Sequence, residues 1–166
     1  VGCSTGEEVY SMAILLHEEG LYEKTRIYAT DMNEEVLKEA ENGEFPLHRM
    51  QLYTRNYLAA GGTTAFSEYY SAKDNHAVFH PFLTKNVVFA QHNLATDRSF
   101  NEFHVIICRN VLIYFDKILQ NRVYHLLHNS LSPSGILGLG SKEGIKFANI
   151  VNSYEEVDPI EKLYRK

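Results

Sequence analysis

Cysteine is scarce in this chain of 166 residues: Cys3 and Cys108 are the only two. Two cysteines cannot build a disulfide framework, so reduced thiols are expected, although the sequence leaves a single bridge open. No apolar run approaches the roughly 20 residues that a membrane span requires, and no apolar segment behind basic residues opens the chain as a signal peptide would. A soluble, cytoplasmic protein without direct membrane insertion is therefore expected. Basic residues form no stripe, and a net charge of −5 argues against nucleic acid as a partner. Internal repeats, linkers and low-complexity tracts are missing too.

What remains is 45% hydrophobic and 22% charged, enough for one core and one compact domain. Helical and strand patterns alternate. Val9, Met12, Ala13, Leu15 and Leu16 recur at helical spacing and Gly20 closes the run, after which Arg26 to Asp31 reads as a short buried strand. Asn33 is a good N-cap for a helix from Glu34 to Glu41, and Gly43 ends it. Between Phe45 and about Asn75 the pattern loosens around a Gly61–Gly62 turn and many tyrosines, and Tyr53 to Tyr70 within it is better read as packing for an insertion than as a partner surface. Ala77 to Leu83 and Asn86 to Ala90 are strand-like, with Pro81 confining the first to an edge. Phe103 to Cys108 is the clearest buried strand, Lys117 to Leu131 the longest helix, Ser132 to Gly135 a turn into a strand from Ile136 to Gly140, and Lys162 to Arg165 a last strand. This order predicts an α/β fold with a mostly parallel, doubly wound sheet, whose ligands bind at the carboxyl ends of the strands.

The chemistry-bearing residues fall at those ends. The chain opens on Val1-Gly2-Cys3-Ser4-Thr5-Gly6-Glu7-Glu8, a glycine loop running into a helix with no strand before it. No Gly-Lys-Ser/Thr follows, and the GxGxxG fingerprint is absent. Glu7 and Glu8 in the first turn would repel a phosphate and suit a cation. They also match two capping boxes, Ser4-x-x-Glu7 and Thr5-x-x-Glu8, so one of them can simply cap the helix. Asp31 ends its strand where an acidic side chain can accept both hydroxyls of a ribose, or can serve as an N-cap. Asn93 and Leu94 could present an amide and a backbone group to an adenine edge, with a plain turn asparagine an equal reading of Asn93, and Cys108-Arg109-Asn110 leaves a buried strand with a cation and an amide, with Tyr114 shortly after. Eight histidines include His125 and His128 one turn apart, but without a carboxylate or cysteine cluster no metal is expected.

The stretches "GCSTGEEVYSMAILL", "IYATDMNEEVLKEA", "NVVFAQHNL", "FHVIICRNVLIYFD" and "SPSGILGLGSKE" resemble, in order and across the whole chain, the motifs of the CheR family. These are chemotaxis receptor glutamate O-methyltransferases that use S-adenosylmethionine. The resemblance implies a Rossmann-like class I methyltransferase domain over residues 1–166, with a small inserted β-subdomain at about 45–90. It also implies that the first strand and the family's basic, helical amino-terminal domain are absent from the chain. It further implies S-adenosylmethionine as cofactor, S-adenosylhomocysteine as product, and the cytoplasmic helices of methyl-accepting chemotaxis receptors as partners.

Carried over position by position, Gly2, Thr5 and Gly6 form the cofactor loop. Glu8, or failing it Glu7, meets the cofactor's ammonium; Asp31 meets the ribose, and Asn93 and Leu94 the adenine. Cys108, Arg109 and Asn110 line the cofactor pocket, with the cysteine as a small wall residue rather than a nucleophile. Arg109 and Tyr114 flank the methyl group and the incoming carboxylate as catalytic residues. The family's GHSE is here Gly140-Ser141-Lys142-Glu143, a departure that sequence alone does not interpret. A cofactor- or partner-binding module with weak turnover remains the alternative, as does methyl transfer to another carboxylate or a small molecule.

Overall fold

The structure, a computed structural model, describes residues 1–145, 148 and 150–166. The chain divides into two compact units, residues 3–91 and residues 1–2 with 92–166.

The first unit begins with α1 (Glu7–Glu18), followed by β1 (Ile27–Asp31) and α2 (Glu34–Asn42). Helix α2 starts where its sequence says it should. The Asn33 side chain accepts the Glu35 N–H at 2.9 Å, and Gly43 closes the helix at φ 65°, the left-handed position that glycine occupies without a Cβ penalty. Helix α1 differs from expectation. Its N-cap is Gly6, at φ 97°, with no side-chain cap. Neither capping box forms, because Ser4 and Thr5 lie outside the cap position and the Thr5 hydroxyl instead donates to Glu7 Oε2 at 2.6 Å.

Residues 44–83, loosely patterned in sequence, are well structured. They contain β2 (Glu44–Pro46), α3 (Met50–Ala59), β3 (Tyr70–Lys73) and β4 (His76–Phe79), and the three strands form an antiparallel sheet in the order β2-β4-β3. The strand expected from Ala77 to Leu83 stops at Phe79. Pro81 cannot donate to a ladder, and Pro81–Leu83 turns into a 3-10 helix instead. Strand β5 (Val87–Gln91) then pairs in parallel with β1, Ile27 opposite Val87 through Asp31 opposite Gln91.

From the tyrosine-rich stretch, Phe66 and Tyr69 are buried in this unit's core, and Tyr53, Tyr57 and Tyr70 pack against it. Tyr10, Phe45 and Phe79 meet ring to ring at 5.0 to 5.5 Å, and Tyr57 and Tyr69 both donate their hydroxyls to Glu18 at the end of α1. Burial and the hydrogen bond to Glu18 push the Tyr69 hydroxyl's pKa up, while the same bonds hold Glu18 below the usual carboxylate range.

The second unit contains β6 (Phe103–Cys108), α4 (Lys117–Ser130), β7 (Leu131–Leu139), β8 (Glu155–Asp158) and β9 (Leu163–Arg165), with strand order β6-β7-β9-β8. Strands β6 and β7 are parallel, and β9 and β8 continue the sheet antiparallel. The turn expected at Ser132 to Gly135 is a bulge inside β7. Phe103 faces Leu131 and Val105 faces Ile136, so the intervening residues of β7 loop out, with Ser134 at φ 63°. Helix α4 is capped by Asp116, whose carboxylate accepts the Leu119 N–H at 2.8 Å. Its Val123, Tyr124 and Leu127 join Ile106, Cys108, Leu137, Leu139 and Tyr164 in this unit's core. Strand-to-helix alternation with parallel pairs places the chain in the α/β class with a Rossmann-like arrangement.

Candidate functional site

In the first unit the glycine loop is shaped by its backbone. Gly6 needs to be glycine twice over: its φ of 97° is left-handed, and a Cβ there would stand 3.0 Å from the Cβ of Ala40 on α2. Cys3 donates its N–H to Thr30 on β1 at 3.0 Å and is buried, and burial pushes its thiol pKa up to about 11. Both cysteines are free and buried, which settles the open disulfide question.

Asp31, at the carboxyl end of β1, is oriented by two backbone amides. Ser4 donates to Oδ2 and Asn33 to Oδ1, each at 3.0 Å. An ionised carboxylate offers about four lone-pair sites, so one on each oxygen remains for a ligand. Met32 beside it is a large apolar side chain left 64% exposed. The patterning of the sequence does not single out Met32; its only signal there is an apolar residue directly after a strand-end aspartate.

The two glutamates of the first turn separate. Glu7 is engaged from three sides, by Thr5, by the Tyr53 hydroxyl at 3.3 Å and by Arg49 at 3.4 Å. Arg49 and Tyr53 are invisible to sequence reading, since nothing in the spacing ties positions 49 and 53 to position 7. Tyr53 and Glu7 together raise the pKa of the exposed Arg49 guanidinium. Glu8 is half-buried in the same turn.

In the second unit Asn93 closes a turn on itself: its Oδ1 accepts the Ala95 N–H at 2.9 Å and its own N–H donates to Asp97 at 2.8 Å. That bond, with one from Thr96, lowers the pKa of Asp97. The turn uses the Asn93 side-chain oxygen and backbone N–H, and not its side-chain nitrogen. Leu94 is buried in the core, so only its backbone can serve one.

Cys108 ends β6 fully buried and Arg109 is exposed. Asn110 takes φ 59°, and the chain enters a short 3-10 turn, Leu112–Tyr114, that leaves the Tyr114 side chain 81% exposed. Gly2 packs against this segment so closely that a Cβ would come within 2.4 Å of Val111 Cγ2. Among the described residues no three or more His, Cys, Asp or Glu side chains gather where a metal could sit, and no helix is long and apolar enough to cross a membrane.

Strand and helix alternation with a glycine loop that opens α1 is the plan of a Rossmann-like methyltransferase fold. Residues 1–159 match the family described as CheR methyltransferase, SAM binding domain, and the chain belongs to that family. It is 50% identical over 165 residues to a Pseudomonas putida protein named "Putative methyltransferase Cher3", covering 99% of the chain and 60% of that protein. It is 34% identical to a chemotaxis protein methyltransferase of Listeria monocytogenes, covering 86% of the chain and 52% of the relative. With the chemotaxis protein methyltransferase of Salmonella typhimurium it shares 31% identity, over 91% of the chain and 52% of the relative. The chain thus spans between half and three fifths of the length of these relatives.

Proposed function

We propose that this domain transfers the methyl group of S-adenosylmethionine to glutamate carboxylates on the cytoplasmic helices of chemotaxis receptors, giving glutamyl methyl esters and S-adenosylhomocysteine. The observation that carries the proposal is Asp31, a carboxylate fixed by Ser4 and Asn33 with one lone-pair site open on each oxygen. Two adjacent ribose hydroxyls are the natural donors for such a pair. The family match over residues 1–159 supplies the cofactor class.

The remaining roles follow from charge and exposure. A helix N-terminus favours anions, so two glutamates in its first turn suit an ammonium group and disfavour a phosphate. Glu8, half-buried in the first turn of α1, is proposed as the ammonium ligand, with Glu7 as second choice. Gly2, Thr5 and Gly6 shape the loop around the amino-acid part of the cofactor. The Asn93 amide and the Leu94 backbone are proposed adenine contacts, and Cys108, Arg109 and Asn110 pocket residues. The antiparallel sheet of residues 44–79 is proposed as the subdomain inserted in a single methyltransferase domain.

The bound cofactor would supply an electrophilic methyl group on a sulfonium. An acceptor glutamate, with an ordinary pKa of about 4.3, is already ionised at neutral pH and needs no general base. What the protein adds is alignment of carboxylate oxygen, methyl carbon and sulfur, a contribution that can reach several kcal/mol. Arg109 orients the acceptor carboxylate, and Tyr114, with its hydroxyl and ring face exposed, holds the acceptor or the sulfonium. Isothermal calorimetry with S-adenosylmethionine, paired with labelled methyl transfer to receptor cytoplasmic helices, tests the proposal. Binding without transfer would leave a cofactor-binding module in place of an enzyme, and the absence of both would remove it.

A further inference from the structure

Glu143 accepts four backbone N–H bonds. Asn110 at 3.0 Å and Gly140 at 2.7 Å donate to Oε2, and Val111 at 2.9 Å and Leu112 at 2.7 Å donate to Oε1. The residue is 9% exposed. Four donors fill the lone-pair sites of a carboxylate, so this glutamate has no site left for a ligand or a proton in transit. Its bonds instead run from the loop after β7 to three consecutive amides of the segment that follows β6.

The same segment is gripped from α4. Gln120 Nε2 donates to the Leu112 carbonyl at 2.9 Å and to the Phe115 carbonyl at 3.0 Å. Asn110, at φ 59°, sits in a conformation that most side chains avoid, and its N–H is one of the four held by Glu143. Gly140 completes the arrangement, because a Cβ there would lie 2.8 Å from Glu143 Oε2 and 2.9 Å from the Asn110 nitrogen. Gly140 and Glu143 therefore act as one device in Gly140-Ser141-Lys142-Glu143, with the glycine making room for the glutamate's carboxylate. Ser141 and Lys142 between them are exposed.

We infer that Glu143, assisted by Gln120, is a positioning residue that braces residues 110–115 and so presents Tyr114 and Arg109 in a fixed geometry for methyl transfer. The inference rests on the proposed role of Tyr114 for its functional part, and on the hydrogen-bond pattern alone for its structural part. An exposed aromatic side chain can serve as a catalytic contact only if its backbone does not wander, since a displacement of about 1 Å can cost on the order of 100-fold in rate. Five hydrogen bonds to two side chains hold that backbone in place.

Glu143→Gln in the full-length protein tests this. The glutamine keeps the size but turns an NH2 toward two of the four donors. Two readouts are needed: amide hydrogen exchange over residues 110–115, and kcat together with S-adenosylmethionine affinity. Faster exchange confined to that segment, with kcat down by about 10- to 100-fold and cofactor affinity kept, is the expected result. Unchanged exchange, or unchanged kcat in a variant whose segment has loosened, overturns the inference. Should Glu143→Gln fail to fold, Gln120→Met releases the two carbonyls without touching the carboxylate and is read by the same criteria. If the unmodified protein transfers no methyl group to receptor helices, the proposed function fails by itself, and the exchange measurement alone still decides whether Glu143 braces the segment.

Discussion

Asp31 and Glu143 are both carboxylates held by main-chain amides, and the number of amides separates their roles. Asp31 takes two and Glu143 takes four, so the first can still receive a ligand and the second cannot. Asp31→Ala is expected to weaken S-adenosylmethionine binding by about tenfold or more, as loss of a hydrogen bond to a charged group of about 1.5–3 kcal/mol implies. Tyr114→Phe is expected to slow transfer while leaving calorimetric affinity nearly intact. Equal loss of binding in both variants would contradict that division of labour.

Cys3 makes a different kind of prediction. With its thiol pKa raised to about 11 by burial, it stays protonated in the folded protein and should resist alkylation at pH 8 until the protein unfolds. An acid whose folded pKa lies above its unfolded value contributes stability at lower pH and loses it as pH rises. The Cys3 contribution should therefore be complete below the ordinary thiol range and disappear between about pH 9 and pH 11, as the difference in denaturant midpoint between the protein and Cys3→Ala across that window would show. Fast alkylation of Cys3 in the native state would contradict its burial.

At the level of elements, the parts most legible in sequence are those whose signals are local. Helix α2 carries its start in Asn33 and its stop in Gly43, and β1 and β6 are short, mainly apolar segments that read as strands. Removing the cap with Asn33→Ala should cost about 1 kcal/mol of stability, and Gly6→Ala about 1–3 kcal/mol, because it combines a left-handed φ with contact against Ala40. Urea unfolding of the two variants checks both values. Residues 44–83 are poorly legible for a physical reason. Their strands are only three or four residues long, too short to show a period. Helix α3 also starts after Arg49, an N-cap residue that makes no side-chain cap bond. The bulge in β7 reads as a turn because Ser132-Pro133-Ser134-Gly135 has turn composition whichever it becomes. In the candidate site the strand-end positions of Asp31, Asn93 and Arg109 can be read from the alternation of elements. The grip of Glu143 cannot, since its partners Asn110 to Leu112 lie more than 30 positions away and are backbone groups that leave no mark on side-chain spacing.

For the whole molecule, the two compact units each carry part of the proposed machinery: Thr5, Gly6, Glu8 and Asp31 in residues 3–91, and Gly2, Asn93, Arg109 and Tyr114 in residues 1–2 with 92–166. Their shared membership in one family match, residues 1–159, is what joins them in a single proposed activity. That activity has a chemical signature that other methyl acceptors lack, because a carboxylate methyl ester is cleaved by mild alkali with release of methanol, whereas methylated nitrogen is not. The most direct measurement is incubation of the full-length protein with methyl-labelled S-adenosylmethionine and receptor cytoplasmic helices, followed by alkaline treatment. Label that enters the helices and leaves as volatile methanol is the expected result; label that resists alkali, or none incorporated while the cofactor is bound, would contradict glutamate methylation.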